Sequence, residues 1–155
     1  EDMNYEIKIL DLPQQPTLTV RTISSVEKLP NFFGKAYGSI MAYLQEIKEA
    51  PSGMPFATYY NLDMSALEIE AGFPVAKSLP AKGEIISTFI PAGKYISTVH
   101  TGSYDSVEPA YDALTQWAKS KGYTPSVVAY EYYLNDPTEN PDIEPVTEIR
   151  FPISK

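Results

Sequence analysis

Hydrophobic and polar residues alternate along most of the chain, and this period of two predicts a protein built largely of β-strands. The predicted strands cover residues 5–11, 17–23, 55–61, 66–75, 84–90, 94–101, 127–134 and 146–153. Proline and glycine residues interrupt the alternation between them, as expected for turns. The connection Pro91-Ala92-Gly93 predicts that the strands on either side of it form a hairpin.

Two stretches change to the spacing of an amphipathic helix, with apolar residues recurring every three or four positions. The first apolar stripe consists of Phe33, Tyr37, Ile40, Leu44 and Ile47. The second consists of Val107, Ala110, Tyr111, Leu114, Trp117 and Ala118. Pro51-Ser52-Gly53 ends the first helix, and Gly122 suits the position after the second.

The two halves of the chain repeat one another, at about residues 1–78 and 79–155. The matching segments are Ala36-Tyr37 with Ala110-Tyr111, Tyr59-Tyr60 with Tyr132-Tyr133, and Phe73-Pro74-Val75 with Phe151-Pro152-Ile153. Each half therefore reads as one β-α-β-β module of a single domain. We predict an α+β fold of tandem duplicated β-α-β-β modules. Its antiparallel sheet would carry two helices on one face and a ligand cleft on the other.

One carboxylate stands out within the repeat. Glu131 lies in the apolar strand Val127–Leu134, where an unpaired charge is costly to bury. In this alignment Glu131 takes the place of Thr58, so the carboxylate is an addition to a symmetric scaffold. Strand alternation predicts that the face without helices carries Thr58, Tyr60, Glu68, Glu70, Glu131, Tyr133, Glu148 and Arg150.

Carboxylates beside aromatic rings suit a flat, hydrophobic cation, through charge pairing and cation–π contact. The candidate ligand-binding residues are Glu131, Tyr133, Glu148, Tyr60, Thr58, Glu70, Tyr37 and Tyr104. Other interpretations stay open. Glu131 could be a hydrogen-bonded structural residue, Glu148 could pair with Arg150, and the tyrosines could serve only to pack the strands.

The composition narrows the function classes. The net charge is −8 and the 12 Lys and Arg residues are scattered, so direct nucleic-acid binding is not expected. The chain has no cysteine and one histidine, His100, which disfavours thiol chemistry, a metal site and a catalytic triad. We expect no cofactor. Because no apolar run approaches the length of a membrane span, we expect no membrane contact and a cytoplasmic location.

The end of the chain resembles a known family. The segments Tyr130-Glu131-x-Tyr133-Leu134-Asn135-Asp136-Pro137 and Thr147–Ile153 are similar to the C-terminal signature of the gyrase-inhibitory-protein-like (GyrI-like) family. That family includes the effector-binding domains of AraC-type and MerR-type transcription regulators. His100–Tyr104 and the run from Trp117 to Gly122 also fit the family pattern.

This resemblance implies a tandem β-α-β-β fold and a domain that binds small molecules. It implies that Glu131 contacts cationic aromatic compounds in an aromatic pocket, with Glu148 at its border. The resemblance leaves open whether the chain stands alone or forms part of a longer regulator.

Three functions remain as hypotheses. The first is binding of hydrophobic, cationic small molecules, as in multidrug-sensing proteins. The second, which the resemblance implies because some relatives carry it out, is hydrolysis of reactive cyclopropane-containing compounds, with Glu131 and Tyr133 as catalytic residues. The third is a gyrase-inhibitor-like interaction with a protein partner through the acidic loop 135–145.

Overall fold

The computed structural model describes residues 5–103, 106–135 and 143–154. The strands are β1 (Lys8–Leu12), β2 (Gln15–Ser24), β3 (Phe56–Tyr59), β4 (Leu67–Pro74), β5 (Ile86–Ile90), β6 (Gly93–Thr101), β7 (Thr124–Pro125), β8 (Ala129–Tyr133) and β9 (Val146–Ser154). The helices are α1 (Leu29–Glu46) and α2 (Glu108–Ser120), and a short 3-10 helix (Val26–Lys28) precedes α1. Within these ranges, no helix is long and apolar enough to cross a membrane.

The chain folds into two compact units. The central unit is Pro13–Ala92, and the terminal unit combines Glu1–Leu12 with Gly93–Lys155. The first strand, β1, therefore belongs with the second half of the chain, because it pairs along its whole length with β6.

The central unit is an antiparallel sheet covered by one helix. Its strands lie in the order β3-β4-β2-β5. The apolar stripe of α1 packs on one face of this sheet, where Ile40 and Leu44 join Leu18, Ala71 and Phe73 in the core. The alternation of β2 and β4 thus supplies one apolar face for the helix, as the sequence pattern predicts.

The terminal unit repeats this plan. Its antiparallel strands lie in the order β1-β6-β9-β8, and the short strand β7 also pairs with β9. Helix α2 packs on one face through Leu114 and Ala118, against Ile96, Ile149 and Phe151. The predicted α+β class is confirmed, with one helix on one sheet face in each unit.

The predicted hairpin at Pro91-Ala92-Gly93 is wrong. Strand β5 pairs with β2, whereas β6 lies between β1 and β9. Turn residues mark where one strand stops and another begins, but they do not determine which strands pair. Gly93 starts β6 with a φ of 155°, a backbone conformation that favours glycine.

Gly72 of β4 provides a test of how closely the strands of the central unit approach. A Cβ atom at Gly72 would lie 2.2 Å from the carbonyl oxygen of Leu18 and 2.6 Å from Cγ2 of Thr19. We expect Gly72→Ala to lower the free energy of unfolding by about 1–3 kcal/mol, the usual cost of overpacking. Urea unfolding measures this change.

Gly38→Ala is the matched control, because the residue lies in α1 and a Cβ atom there meets no described residue within 4 Å outside its own helix. It should stabilise the protein by up to about 1 kcal/mol, since alanine is the better helix former. Equal effects of the two substitutions would contradict the close strand approach.

Candidate functional site

Glu131 lies on the helix-covered face of the terminal unit. In the β8–β9 pairing Glu131 is opposite Ile149, and Ile149 belongs to the core beneath α2. Residues opposite each other in a ladder point to the same side of the sheet. The prediction that Glu131 and Tyr133 lie on the face without helices is therefore wrong.

The error comes from a shift of one residue in the alignment of the repeat. Glu70 of β4 and Glu148 of β9 are equivalent in the repeat, so the next residues, Ala71 and Ile149, are equivalent too. Ala57 is opposite Ala71, and Glu131 is opposite Ile149. The residue equivalent to Glu131 is therefore Ala57, not Thr58. Because side chains alternate along a strand, a shift of one residue moves every side chain to the other face.

Two tyrosine hydroxyls hold the buried Glu131 carboxylate. Tyr111 of α2 donates a hydrogen bond to Oε2 of Glu131. Tyr133, two residues further along β8, donates to Oε1 at 3.0 Å. The Tyr111 ring packs edge-on against Phe151, with ring centroids 5.4 Å apart. Helix α2 and strand β8 together therefore fix the carboxylate at the boundary between polar groups and the apolar core.

Burial raises the pKa of Glu131 above its ordinary value, because the charged form loses its hydration. The hydrogen bonds from Tyr111 and Tyr133 and the nearby His100 oppose this shift. The side chain is only 8% exposed. The protonation state of Glu131 is therefore set by the groups around it, as is common for carboxylates at functional sites.

His100 lies on the same face of the sheet as Tyr133, two strands away from it. It lies on β6 opposite Thr147 of β9, and Thr147 lies opposite Tyr133 of β8, so the three side chains form a row. The Nδ1 atom of His100 is 3.0 Å from the Tyr5 hydroxyl. Its Nε2 atom is 3.3 Å from the carbonyl oxygen of Ser103. A carbonyl only accepts, so Nε2 is the donor in this contact.

The other predicted carboxylates lie elsewhere. Glu70 is on the face of the central unit away from α1, on the same side as Thr58. It is 7% exposed and accepts hydrogen bonds from Tyr60 and Thr19.

Tyr37 lies on α1 and donates to the carbonyl oxygen of Phe56 at 2.8 Å. None of these residues belongs to the terminal unit that contains Glu131.

Glu148 forms an ion pair with Arg150, which was one of the interpretations open from the sequence. Arg150 donates to it through Nε at 2.7 Å, and Ser97 donates to the same carboxylate oxygen at 2.7 Å. The Arg150 guanidinium lies 4.2 Å from the centre of the Tyr132 ring. This cluster is on the face of the terminal sheet opposite to Glu131, because Glu148 and Ile149 are neighbours in β9.

Two predicted features lie outside the described residues. These are Tyr104 and most of the acidic loop, including Asp136, Glu139 and Asp142. Conversely, Tyr111 is a site residue that was not predicted. The repeat carried the necessary signal, because Tyr111 matches Tyr37, which was predicted as a site residue.

The raised pKa of Glu131 predicts how stability depends on pH. The protonated side chain is the better tolerated form in the fold. Its contribution to stability is therefore fully present below the pKa of the unfolded chain and is lost as the pH rises through the folded pKa. As the pH rises above about 4.3, the ordinary pKa of a glutamate, we expect the wild type to lose stability relative to Glu131→Gln, as measured by urea unfolding.

Tyr111→Phe should move this loss to higher pH, since it removes a hydrogen bond that lowers the pKa of Glu131. Parallel stability profiles of the wild type and Glu131→Gln across the whole range would show that the carboxyl has its ordinary pKa in the fold.

Comparison with solved structures identifies relatives with this fold. The chain is 26% identical to the C-terminal domain of EcmrR, covers 99% of both chains and superposes with a TM-score of 0.76. It is 25% identical to EcmrR in an EcmrR–DNA complex, with a TM-score of 0.77; that match covers 97% of this chain but only 58% of the EcmrR chain. No curated protein sequence matches the chain.

A more distant structure contains a ligand. SAV2435 bound to tetraphenylphosphonium is 16% identical, covers 98% of this chain and 94% of its own, and has a TM-score of 0.61. At this identity the likeness concerns the fold. A sequence model described as the GyrI-like small molecule binding domain matches residues 5–154. Because this match spans nearly the whole chain, the protein belongs to the GyrI-like family of small-molecule-binding domains.

Proposed function

We propose that the protein binds hydrophobic cations on the α2-covered face of the terminal unit, with Glu131 as the counter-charge. The observation that carries this proposal is the state of the Glu131 carboxylate. It is buried and accepts hydrogen bonds from two tyrosine hydroxyls. Among the described residues, no Lys or Arg forms an ion pair with it.

A bound cation would supply the missing charge. Burying a carboxylate without an opposite charge is unfavourable, which the raised pKa of Glu131 reflects. A cation beside it would favour the ionised form and recover that cost. The rings of Tyr111 and Tyr133 would add cation–π contact, which is worth about 2 kcal/mol or more where water is excluded.

The arrangement differs from the carboxylates on the opposite faces. Glu148 already has Arg150 as a partner, and Glu68 has Arg21. Glu70 matches Glu131 in burial and in its two hydroxyl donors, but it lies on the face of the central unit away from the helix. It is therefore a matched control for Glu131.

The choice of probe follows from the relatives. The family binds small molecules, and SAV2435, which shares the fold, has tetraphenylphosphonium bound. We expect this chain to bind tetraphenylphosphonium as well. Isothermal titration calorimetry of the wild type, Glu131→Gln and Glu70→Gln would measure the affinity.

Glu131→Gln should weaken binding roughly tenfold to a hundredfold, the range for losing a contact between charged groups. Glu70→Gln should bind as the wild type does. If Glu70→Gln lost affinity and Glu131→Gln did not, the ligand would lie on the face without helices. If the wild type bound no lipophilic cation, the proposed ligand class would be wrong.

Hydrolysis is a second candidate, favoured by the raised pKa of Glu131. A carboxyl group with a pKa nearer neutrality can exchange protons with a water molecule, and the adjacent Tyr133 hydroxyl could protonate a leaving group. One solved structure with this fold is described as a hydrolase from Listeria innocua, at 13% identity, 96% and 92% coverage and a TM-score of 0.72.

Turnover of an electrophilic cyclopropane substrate distinguishes this candidate from binding alone. A hydrolase should show a rate that falls by at least about a hundredfold in Glu131→Gln, the lower end of the usual contribution of general acid–base catalysis. Tyr133→Phe should also slow the reaction. Binding of the substrate without any turnover by the wild type would leave the protein as a binding domain.

A further inference from the structure

A polar side chain beside the Glu131 site is buried with an unpaired hydroxyl. Thr147 of β9 is 0% exposed, and its hydroxyl forms no hydrogen bond with any of the described residues. It lies directly opposite Tyr133, one of the two tyrosines that hold Glu131. The unpartnered hydroxyl is therefore one strand away from the site, on the same face of the sheet.

An unsatisfied buried hydroxyl is unfavourable, because it loses its hydrogen bonds to water and gains none. Valine has nearly the same shape and would avoid this cost. Its neighbours in the row are already engaged: His100 contacts Tyr5 and Ser106, and Tyr133 donates to Glu131. Thr147 is thus the position in this row where a further polar group can be bound.

We propose that Thr147 is a specificity-determining residue whose hydroxyl recognises a hydrogen-bonding group next to the cationic centre of the ligand. This inference rests on the proposed binding of cations at Glu131. Thr147 is opposite Tyr133 and therefore diagonal to Glu131, and such diagonal neighbours are about 7–8 Å apart. A hydroxyl on a short arm of the cation can therefore contact Thr147 while the charge contacts Glu131. Because Thr147 is fully buried, the side chains around it must move aside for a ligand hydroxyl to reach it.

Two phosphonium ions that differ only in a hydroxyl test this inference. These are (2-hydroxyethyl)triphenylphosphonium and ethyltriphenylphosphonium. The wild type should prefer the hydroxylated ion about three- to tenfold, the gain expected from one hydrogen bond. In Thr147→Val this preference should disappear, while the affinity for ethyltriphenylphosphonium and the melting temperature stay equal or rise.

Thr17→Val is the matched control. Thr17 is also buried, and its hydroxyl has no hydrogen-bond partner in the described part of the chain, but it lies in β2 of the central unit, on the face away from α1. Its valine variant should keep the full preference of the wild type. The inference is overturned if Thr147→Val retains the preference, or if the wild type binds both ions equally. If the wild type binds neither ion, the proposed function fails as well, which separates the two claims.

Discussion

The terminal unit must accommodate the buried carboxylate of Glu131, and the rest of the site is arranged around it. Helix α2 provides Tyr111 and strand β8 provides Tyr133, and both donate hydrogen bonds to it. These bonds stabilise the ionised form of Glu131. They do not outweigh its loss of hydration, and the pKa of Glu131 is therefore above its ordinary value. The fold therefore holds a carboxylate that a cationic ligand would stabilise further, and binding and charge are coupled at one residue.

The duplicated architecture shows that this arrangement is an addition to a common scaffold. Both units carry a carboxylate on the face without a helix, held by a hydroxyl from the adjacent strand: Thr19 donates to Glu70, and Ser97 donates to Glu148. The two hydrogen-bonded pairs occupy equivalent positions of the repeat, each within the sheet of its own unit. Glu131 has no such counterpart, because Ala57 occupies the equivalent position.

Much of the fold follows from the sequence. The alternation of β2, β4 and β9 and the apolar stripes of the two helices predict the strands, the helices and the faces that form the core. The pairing of β5 with β2 does not follow, since it depends on contacts far apart in sequence. The Pro91-Ala92-Gly93 turn gives no information about them.

The importance of Glu131 could be predicted from a single charge in an apolar strand, but the side of the sheet on which it lies could not. The pair Tyr132-Tyr133 can be matched to its repeat in two ways that differ by one residue, and only the strand pairing decides between them. Thr147 carries no sequence signal at all, because buried and exposed threonines in strands look alike.

A crystal structure of the protein with tetraphenylphosphonium would show directly whether the cation binds beside Glu131. We expect the cation to lie on the α2-covered face of the terminal unit, in contact with the Glu131 carboxylate and the rings of Tyr111 and Tyr133. A cation bound beside Glu70 or Glu148, with the hydrogen bonds of Glu131 unchanged and no ligand near it, would contradict the account.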